Sequence, residues 1–213
     1  MDATRIIAVR HGETAWNVDT RIQGHLDIPL NDTGHWQARR LAAALADEPL
    51  AAVYASDLGR AHATAQAVAS AAGLPVLAEP ALRERAFGRF EGQTFAEIEA
   101  QWPEDALRWR RRDPDFAPPE GGESLITFRD RIVAAAHAIA ARHPGEQIML
   151  VGHGGVMDVL YRAATGQELG APRSWALGNA AINRLLWTPD GLTLVGWADT
   201  RHLDETTLDE STA

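Results

Sequence analysis

The chain has 213 residues, 46% hydrophobic and 23% charged, enough for one sizeable buried core in an ordinary globular enzyme. It has no cysteine and a formal net charge of -9, which excludes disulfides, thiolate zinc sites and a cysteine nucleophile and argues against a general nucleic-acid surface. It also has no lysine: all 20 basic residues are arginines, so any anion must be read by planar guanidinium forks.

The first apolar run, Ile6-Ile7-Ala8-Val9, reads as a buried strand that ends at Arg10-His11-Gly12-Glu13. Residues 12 to 32 contain Gly12, Gly24, Pro29, Asn31 and Asp32 and read as a long loop, a length that usually signals function in a compact domain. Asn31 or Thr33 caps a helix to about Ala46, and Ala51 to Ala55 is a short strand. Ser56 suits the N-cap of an Ala-rich helix, Asp57 to Ala72, which Gly73 stops. Pro75 to Ala78 is a third short strand. Residues 79 to 122 then break the alternation with a turn at Phe87 to Gly92 and short helices at Thr94 to Trp102 and Glu104 to Arg112. This excursion is expected to form a helical cap over the sheet edge.

After the cap come a helix from Ser124 to His143, a strand from Gln147 to Val151 and a helix from Gly155 to Thr165. The segments Ala181 to Thr188 and Leu192 to Ala198 flank Pro189-Asp190-Gly191 as a hairpin. The expected fold is a three-layer α/β/α architecture with a mostly parallel sheet, an antiparallel edge and a small helical cap insertion. Residues 1 to 203 are expected to form one domain, with the insertion at about 79 to 122, and 204 to 213 an acidic, disordered tail. No stretch approaches the roughly 20 apolar residues of a membrane helix, and Met1-Asp2-Ala3-Thr4-Arg5 lacks the layout of a signal peptide. A cytoplasmic protein with neither membrane nor nucleic-acid partners is expected; the oligomeric state is left open.

In open α/β sheets ligands sit beyond the carboxyl ends of the strands. Two histidines fall there: His11, and His153 in Val151-Gly152-His153-Gly154-Gly155. The other six, His25, His35, His62, His137, His143 and His202, lie in polar loops or helical patterns and read as structural. Arg60, in the first turn after Ser56-Asp57-Leu58-Gly59, joins Arg10 in a cationic pocket suited to phosphate, and Gly154 and Gly155 open a helix whose N-terminus adds amide donors. A neutral histidine can attack phosphorus directly, and Glu84 is a candidate proton donor for the leaving oxygen. A metal held by His11, Glu13 and His153 is disfavoured beside arginines, and there is no His-Glu-x-x-His. No cofactor is expected, and no nucleotide-binding glycine motif is present.

Taken in order, these segments resemble the histidine phosphatase superfamily, the phosphoglycerate mutase-like family. The matching residues are Val9-Arg10-His11-Gly12-Glu13-Thr14 with Trp16-Asn17, Arg21-Ile22-Gln23-Gly24, Ser56-Asp57-Leu58-Gly59-Arg60-Ala61, Leu82-Arg83-Glu84 with Phe87-Gly88, and Val151-Gly152-His153-Gly154-Gly155. The resemblance implies that His11 accepts the phosphoryl group, that Arg10, Arg60 and His153 bind its oxygens, and that Glu84 acts as acid and then base. It adds Asn17, Gln23 and Gly24 to the same pocket.

A phosphatase and a mutase would share the phosphohistidine. Cofactor-dependent mutases of the family carry Arg-His-Tyr-Gly after the acid and then a lysine, where this chain has Arg85-Ala86-Phe87-Gly88 and no lysine. On the mutase side, Trp109-Arg110-Arg111-Arg112 resembles the tryptophan and arginines of the mutase cap. The expectation is a metal-independent phosphatase of small phosphate monoesters. The alternatives are a phosphoglycerate mutase using 2,3-bisphosphoglycerate and a non-catalytic phosphate-binding protein. Specificity is expected from Phe90, Trp109, Arg110, Arg111 and Arg112, in the cap.

Overall fold

A computed structural model of the chain describes residues 2–204. In chain order the elements are β1 (Thr4–Arg10), α1 (Ala15–Val18), α2 (Asp32–Ala44), β2 (Leu50–Ala55), α3 (Gly59–Ala72), β3 (Val76–Ala78), α4 (Phe95–Gln101), α5 (Pro103–Arg110), α6 (Leu125–Ala140), β4 (Gln147–Gly152), α7 (Gly154–Thr165), β5 (Ile182–Thr188) and β6 (Gly191–Asp199). The strands form one sheet in the order β3-β2-β4-β1-β5-β6. The β3-β2, β2-β4 and β4-β1 pairs are parallel, and β5 and β6 add an antiparallel edge.

Because successive strand residues point to opposite faces, β1 supplies two cores at once. Ile6 and Ala8 pack with Tyr54, Ile148, Leu150 and the buried faces of α6 and α7. Ile7 and Val9 pack with Val53, Met149, Val151 and the faces of α2 and α3 that carry Leu41, Ala61 and Val68. The three-layer α/β/α architecture expected from the alternation is therefore present. Between β3 and α6, the excursion has a third core of its own, with Phe90, Ile98, Ala106 and Phe116 buried together.

Several local expectations are corrected. The loop after β1 contains the short helix α1, because Thr14 and Asn17 form a capping box within four residues. Asn31 caps α2 through the Gly34 amide, and that helix ends at Ala44. Ser56 is not the cap residue of α3: the cap position is Leu58, without a side-chain bond, and the Ser56 hydroxyl accepts from the Leu58 amide and meets His153. In the cap, α5 begins at Pro103 and ends at Arg110. The expected acidic tail falls outside the described residues from 205 onward. No helix among the described residues is long and apolar enough to cross a membrane.

Candidate active site

Pairing of β1 with β4 sets Arg10 opposite Gly152, and the His11 amide continues the ladder to the Gly152 carbonyl at 3.0 Å. Two histidines that are 142 positions apart thus leave adjacent strands at the same edge, with ring centroids 5.2 Å apart. On the far side of β4, the Ser56 amide extends β2 by bonding to the Val151 carbonyl, so Ser56 arrives at the same edge.

The His11 ring is oriented by its own backbone. Nδ1 lies 2.7 Å from the Gly12 carbonyl oxygen, which can only accept, so Nδ1 carries the proton and Nε2 keeps a free lone pair. The Gly12 turn is itself fixed by an amide bond to Thr64 Oγ1 and by Asn179 Nδ2 donating to the His11 carbonyl. Burial, with Arg10 and Arg60 beside it, holds the His11 imidazole well below its usual range. His153 is also held down, by burial first, then by His11, Arg60 and Arg10. Both rings are neutral at physiological pH.

A cavity of about 160 Å³ opens in front of His11, and its walls include Arg10, Asn17, Arg21, Gln23, Gly24, Arg60, Glu84 and Gly154. Arg60 is almost fully buried and aims its two terminal nitrogens at the Gly24 and Leu26 carbonyls. Gly24 has a φ of +50°, and a Cβ there would lie 2.2 Å from Glu91 Oε1, so only glycine allows this approach. Arg10 donates from Nη1 to the Leu177 carbonyl. Burial pulls both guanidiniums below their ordinary values while Glu84 opposes it.

Three buried polar atoms of residues lining the cavity have no partner among the described residues, Arg10 Nε, Gln23 Oε1 and Arg60 Nε, and His153 Nδ1 beside His11 is a fourth. Folded interiors leave few such groups without a reason, and three of these four are donors or can be. An anion with several acceptor oxygens is the natural complement. Among the described residues, no three His, Asp or Glu side chains gather as a metal-ligand set.

Glu84 closes one side. Its Oε1 accepts from the Arg85 amide at 2.8 Å and its Oε2 from the Gly155 amide at 2.9 Å, in the first turn of α7. The loop beneath is held by Arg131, which donates to the Ala81, Arg83 and Glu84 carbonyls and pairs with Glu123. His25, read from sequence as structural, donates from Nε2 to the Glu84 carbonyl.

The structure therefore brings together Arg10, His11, Asn17, Gln23, Gly24, Arg60, Glu84 and Gly154 around one cavity. His153 packs edge-on against the His11 ring and does not line the cavity itself. The cap residues divide. Trp109 and Arg112 face a neighbouring chamber, whereas Phe90 is wholly buried in the cap core and stacks on Trp102 and Trp109. Arg110 lies over the Phe95 ring and pairs with Glu99, and Arg111 caps α5 on the exposed surface. Phe90, Arg110 and Arg111, expected from sequence to set specificity, line neither cavity. Sequence reasoning missed Ser56 in its true position, Thr64 and Asn179.

Comparison with known proteins agrees with this geometry. The model of the histidine phosphatase superfamily, branch 1, matches residues 6–200. Phosphoglycerate mutase-like protein 4 of Arabidopsis thaliana is 41% identical over 209 residues, covering 97% of this chain and 90% of that protein. Metal-independent phosphoserine phosphatase of the same plant is 36% identical over 204 residues, covering 95% and 84%. Among solved structures, YhfR of Bacillus stearothermophilus matches with a TM-score of 0.86 at 31% identity, over 94% of this chain and 100% of that one. A phosphoserine phosphatase mutant of Entamoeba histolytica, in complex with phosphoserine, matches with a TM-score of 0.82 at 26% identity, over 94% and 100%. The strand-end histidines, the arginines beside them and the matched length together make this chain a member of the histidine phosphatase superfamily, branch 1.

Proposed function

We propose that the protein hydrolyses small phosphate monoesters without a metal, through a phosphohistidine at His11. The observation that carries this is the free Nε2 lone pair of a neutral, buried His11 facing a cavity walled by two arginines. Arg10 and Arg60, with the Gly154 end of α7, hold the phosphoryl oxygens, and Asn17, Gln23 and Gly24 complete the wall. His11 Nε2 attacks phosphorus as the bond to the ester oxygen breaks, and Glu84 gives that oxygen a proton. In the second half, Glu84 takes a proton from water, the water oxygen bonds to phosphorus, the N–P bond breaks and phosphate leaves. The relative named as a metal-independent phosphoserine phosphatase supports this reading. The separate cap core supports the assignment of residues 1 to 203 to one domain carrying an insertion.

The test is turnover of a radiolabelled phosphate monoester in the presence of a chelator. Wild type releases phosphate and carries acid-labile, alkali-stable label, and His11→Ala loses both; normal turnover by that variant overturns the nucleophile. The mutase-like name of one relative makes 3-phosphoglycerate with 2,3-bisphosphoglycerate the second substrate set. Free phosphate is expected as the product, and formation of 2-phosphoglycerate assigns the same phosphohistidine to a mutase.

A further inference from the structure

Beside the phosphoryl cavity lies a second, larger chamber of about 300 Å³. The two share Glu84 and Phe87 in their walls, and Gly154 borders one while Gly155 borders the other. An ester oxygen that leaves phosphorus and takes the Glu84 proton therefore departs at the shared wall, beside this chamber. Its volume is about twice the ~150 Å³ that accepts a benzene ring in a protein interior.

The chamber has two kinds of wall. Phe87, Trp109, Leu125 and Phe128 present apolar and aromatic surface, with the Phe87 and Trp109 rings 5.7 Å apart. The other wall carries both signs of charge, with Glu84 and Asp158 among Arg85, Arg112 and Arg173, and Asp158 Oδ1 is buried without a partner among the described residues. Arg112 is already engaged, with Asp158 at 2.7 Å and the Leu169 carbonyl at 2.9 Å, and Asp158 is shared with Arg162 of α7. Arg85 is spent on the Phe116 and Glu123 carbonyls. Arg173, from the segment between α7 and β5, has no ion pair or hydrogen bond among the described residues, although it borders the chamber. It is close enough to Arg10 and to Arg112 to lower both. An uncommitted guanidinium beside apolar and aromatic surface favours a carboxylate.

We propose that this chamber receives the alcohol part of the substrate and selects phosphate monoesters whose apolar, ring-sized body ends in a carboxylate bound by Arg173. The proposal rests on the phosphatase reading of the adjoining cavity. It makes Arg173 a specificity residue, and it makes Arg112 and Asp158 the pair that ties the cap to α7 and so fixes the chamber's width.

The probes are 3-(4-phosphonooxyphenyl)propanoate and its methyl ester, whose phenol leaving groups are matched because two methylenes insulate the carboxylate. Wild type is expected to prefer the acid in kcat/KM by about tenfold, and Arg173→Gln to bring the ratio close to one. Arg173 is exposed and unpartnered, so its variant should melt with wild type. Calorimetric binding of 3-(4-hydroxyphenyl)propanoate, which needs no turnover, should weaken in the same variant. Turnover of both esters with no preference in wild type, or with the same preference in the variant, overturns the chamber and leaves the phosphatase reading standing. If neither ester is hydrolysed but the hydroxy acid binds in an Arg173-dependent way, the phosphatase reading fails and the chamber stands. Binding equal in both proteins overturns the proposal.

Discussion

Ser56 Oγ lies 2.9 Å from His153 Nε2, and both side chains are fully buried. The Leu58 amide donates to the same hydroxyl at 3.3 Å, so the hydroxyl hydrogen is free to point at His153 Nε2. With Ser56 as the donor, the His153 proton sits on Nδ1, the buried atom without a partner among the described residues. Ser56→Ala removes the hydroxyl that sets the tautomer. The variant should lose about 1 kcal/mol of stability and roughly tenfold to a hundredfold in kcat/KM, as when other imidazoles lose the group that orients them. Urea unfolding alongside steady-state kinetics checks this; unchanged kcat/KM in a destabilised protein would limit Ser56 to packing.

Gly155 is where α7 meets the proposed acid. A Cβ at this position would lie 2.2 Å from Glu84 Oε1 and 3.0 Å from Phe128 Cε1. Gly155→Ala should displace the Glu84 carboxylate and leave His11 untouched. Turnover of an alkyl phosphate, which needs leaving-group protonation, should fall by roughly 10² or more, whereas a nitrophenyl ester should lose much less. Equal losses on the two esters would remove Glu84 from the proton-donor role.

Acid should destabilise the protein through its two buried histidines. Above pH ~6.5 both rings are neutral in the folded and unfolded states. Below it the unfolded chain binds protons that His11 and His153 refuse while buried, so stability falls with falling pH until their lowered folded pKa values are reached. The slope is up to ~1.4 kcal/mol per pH unit for each group. His153→Gln should remove one group's share of it. Unfolding free energies measured across this range, with and without phosphate, give the slope directly, and a slope identical in wild type and variant would contradict it.

Arg131 organises the loop that carries Glu84, with Glu123 as its ion partner at 2.6 Å and three carbonyls around it. Arg131→Ala strands a mostly buried carboxylate and unpairs the loop. A cost of about 3 kcal/mol is expected, together with a lower kcat. Replacing Glu123 with Gln as well should recover part of the stability but not the rate, which separates the charge from the positioning.

The site was legible in the sequence where chemistry coincides with a strand end. Arg10, His11 and His153 follow apolar runs directly, and Arg60 sits one helical turn after another, so parallel pairing brings them together almost automatically. Ser56 was misread because a serine before an Ala-rich helix satisfies the local rule for an N-cap. Its actual partner lies 97 positions away, across the sheet, where local rules have no reach. Asn179, and Arg173 of the proposed chamber, escaped for the same reason, since both lie in an irregular segment without periodicity. Phe90, Arg110 and Arg111, read from sequence as specificity residues, lie away from both cavities. Aromatic and arginine residues of a cap look like substrate contacts, but this cap needed Phe90 for its own core and left the two arginines on its outer surface.

The bond from His11 Nδ1 to the Gly12 carbonyl has a consequence for how such an enzyme can change. In a serine protease the orienting group for the histidine is a side chain, and one substitution can remove it. Here the orienting group is the main chain of the next residue, and that residue is held to glycine because a Cβ there would lie 2.6 Å from the Gly34 carbonyl oxygen. No side chain holds the ring, so its orientation depends on this one close backbone approach. The chamber beyond Glu84, built from ordinary aromatic, aliphatic and arginine residues, is free to be remodelled for a new alcohol while the reacting nitrogen stays in place.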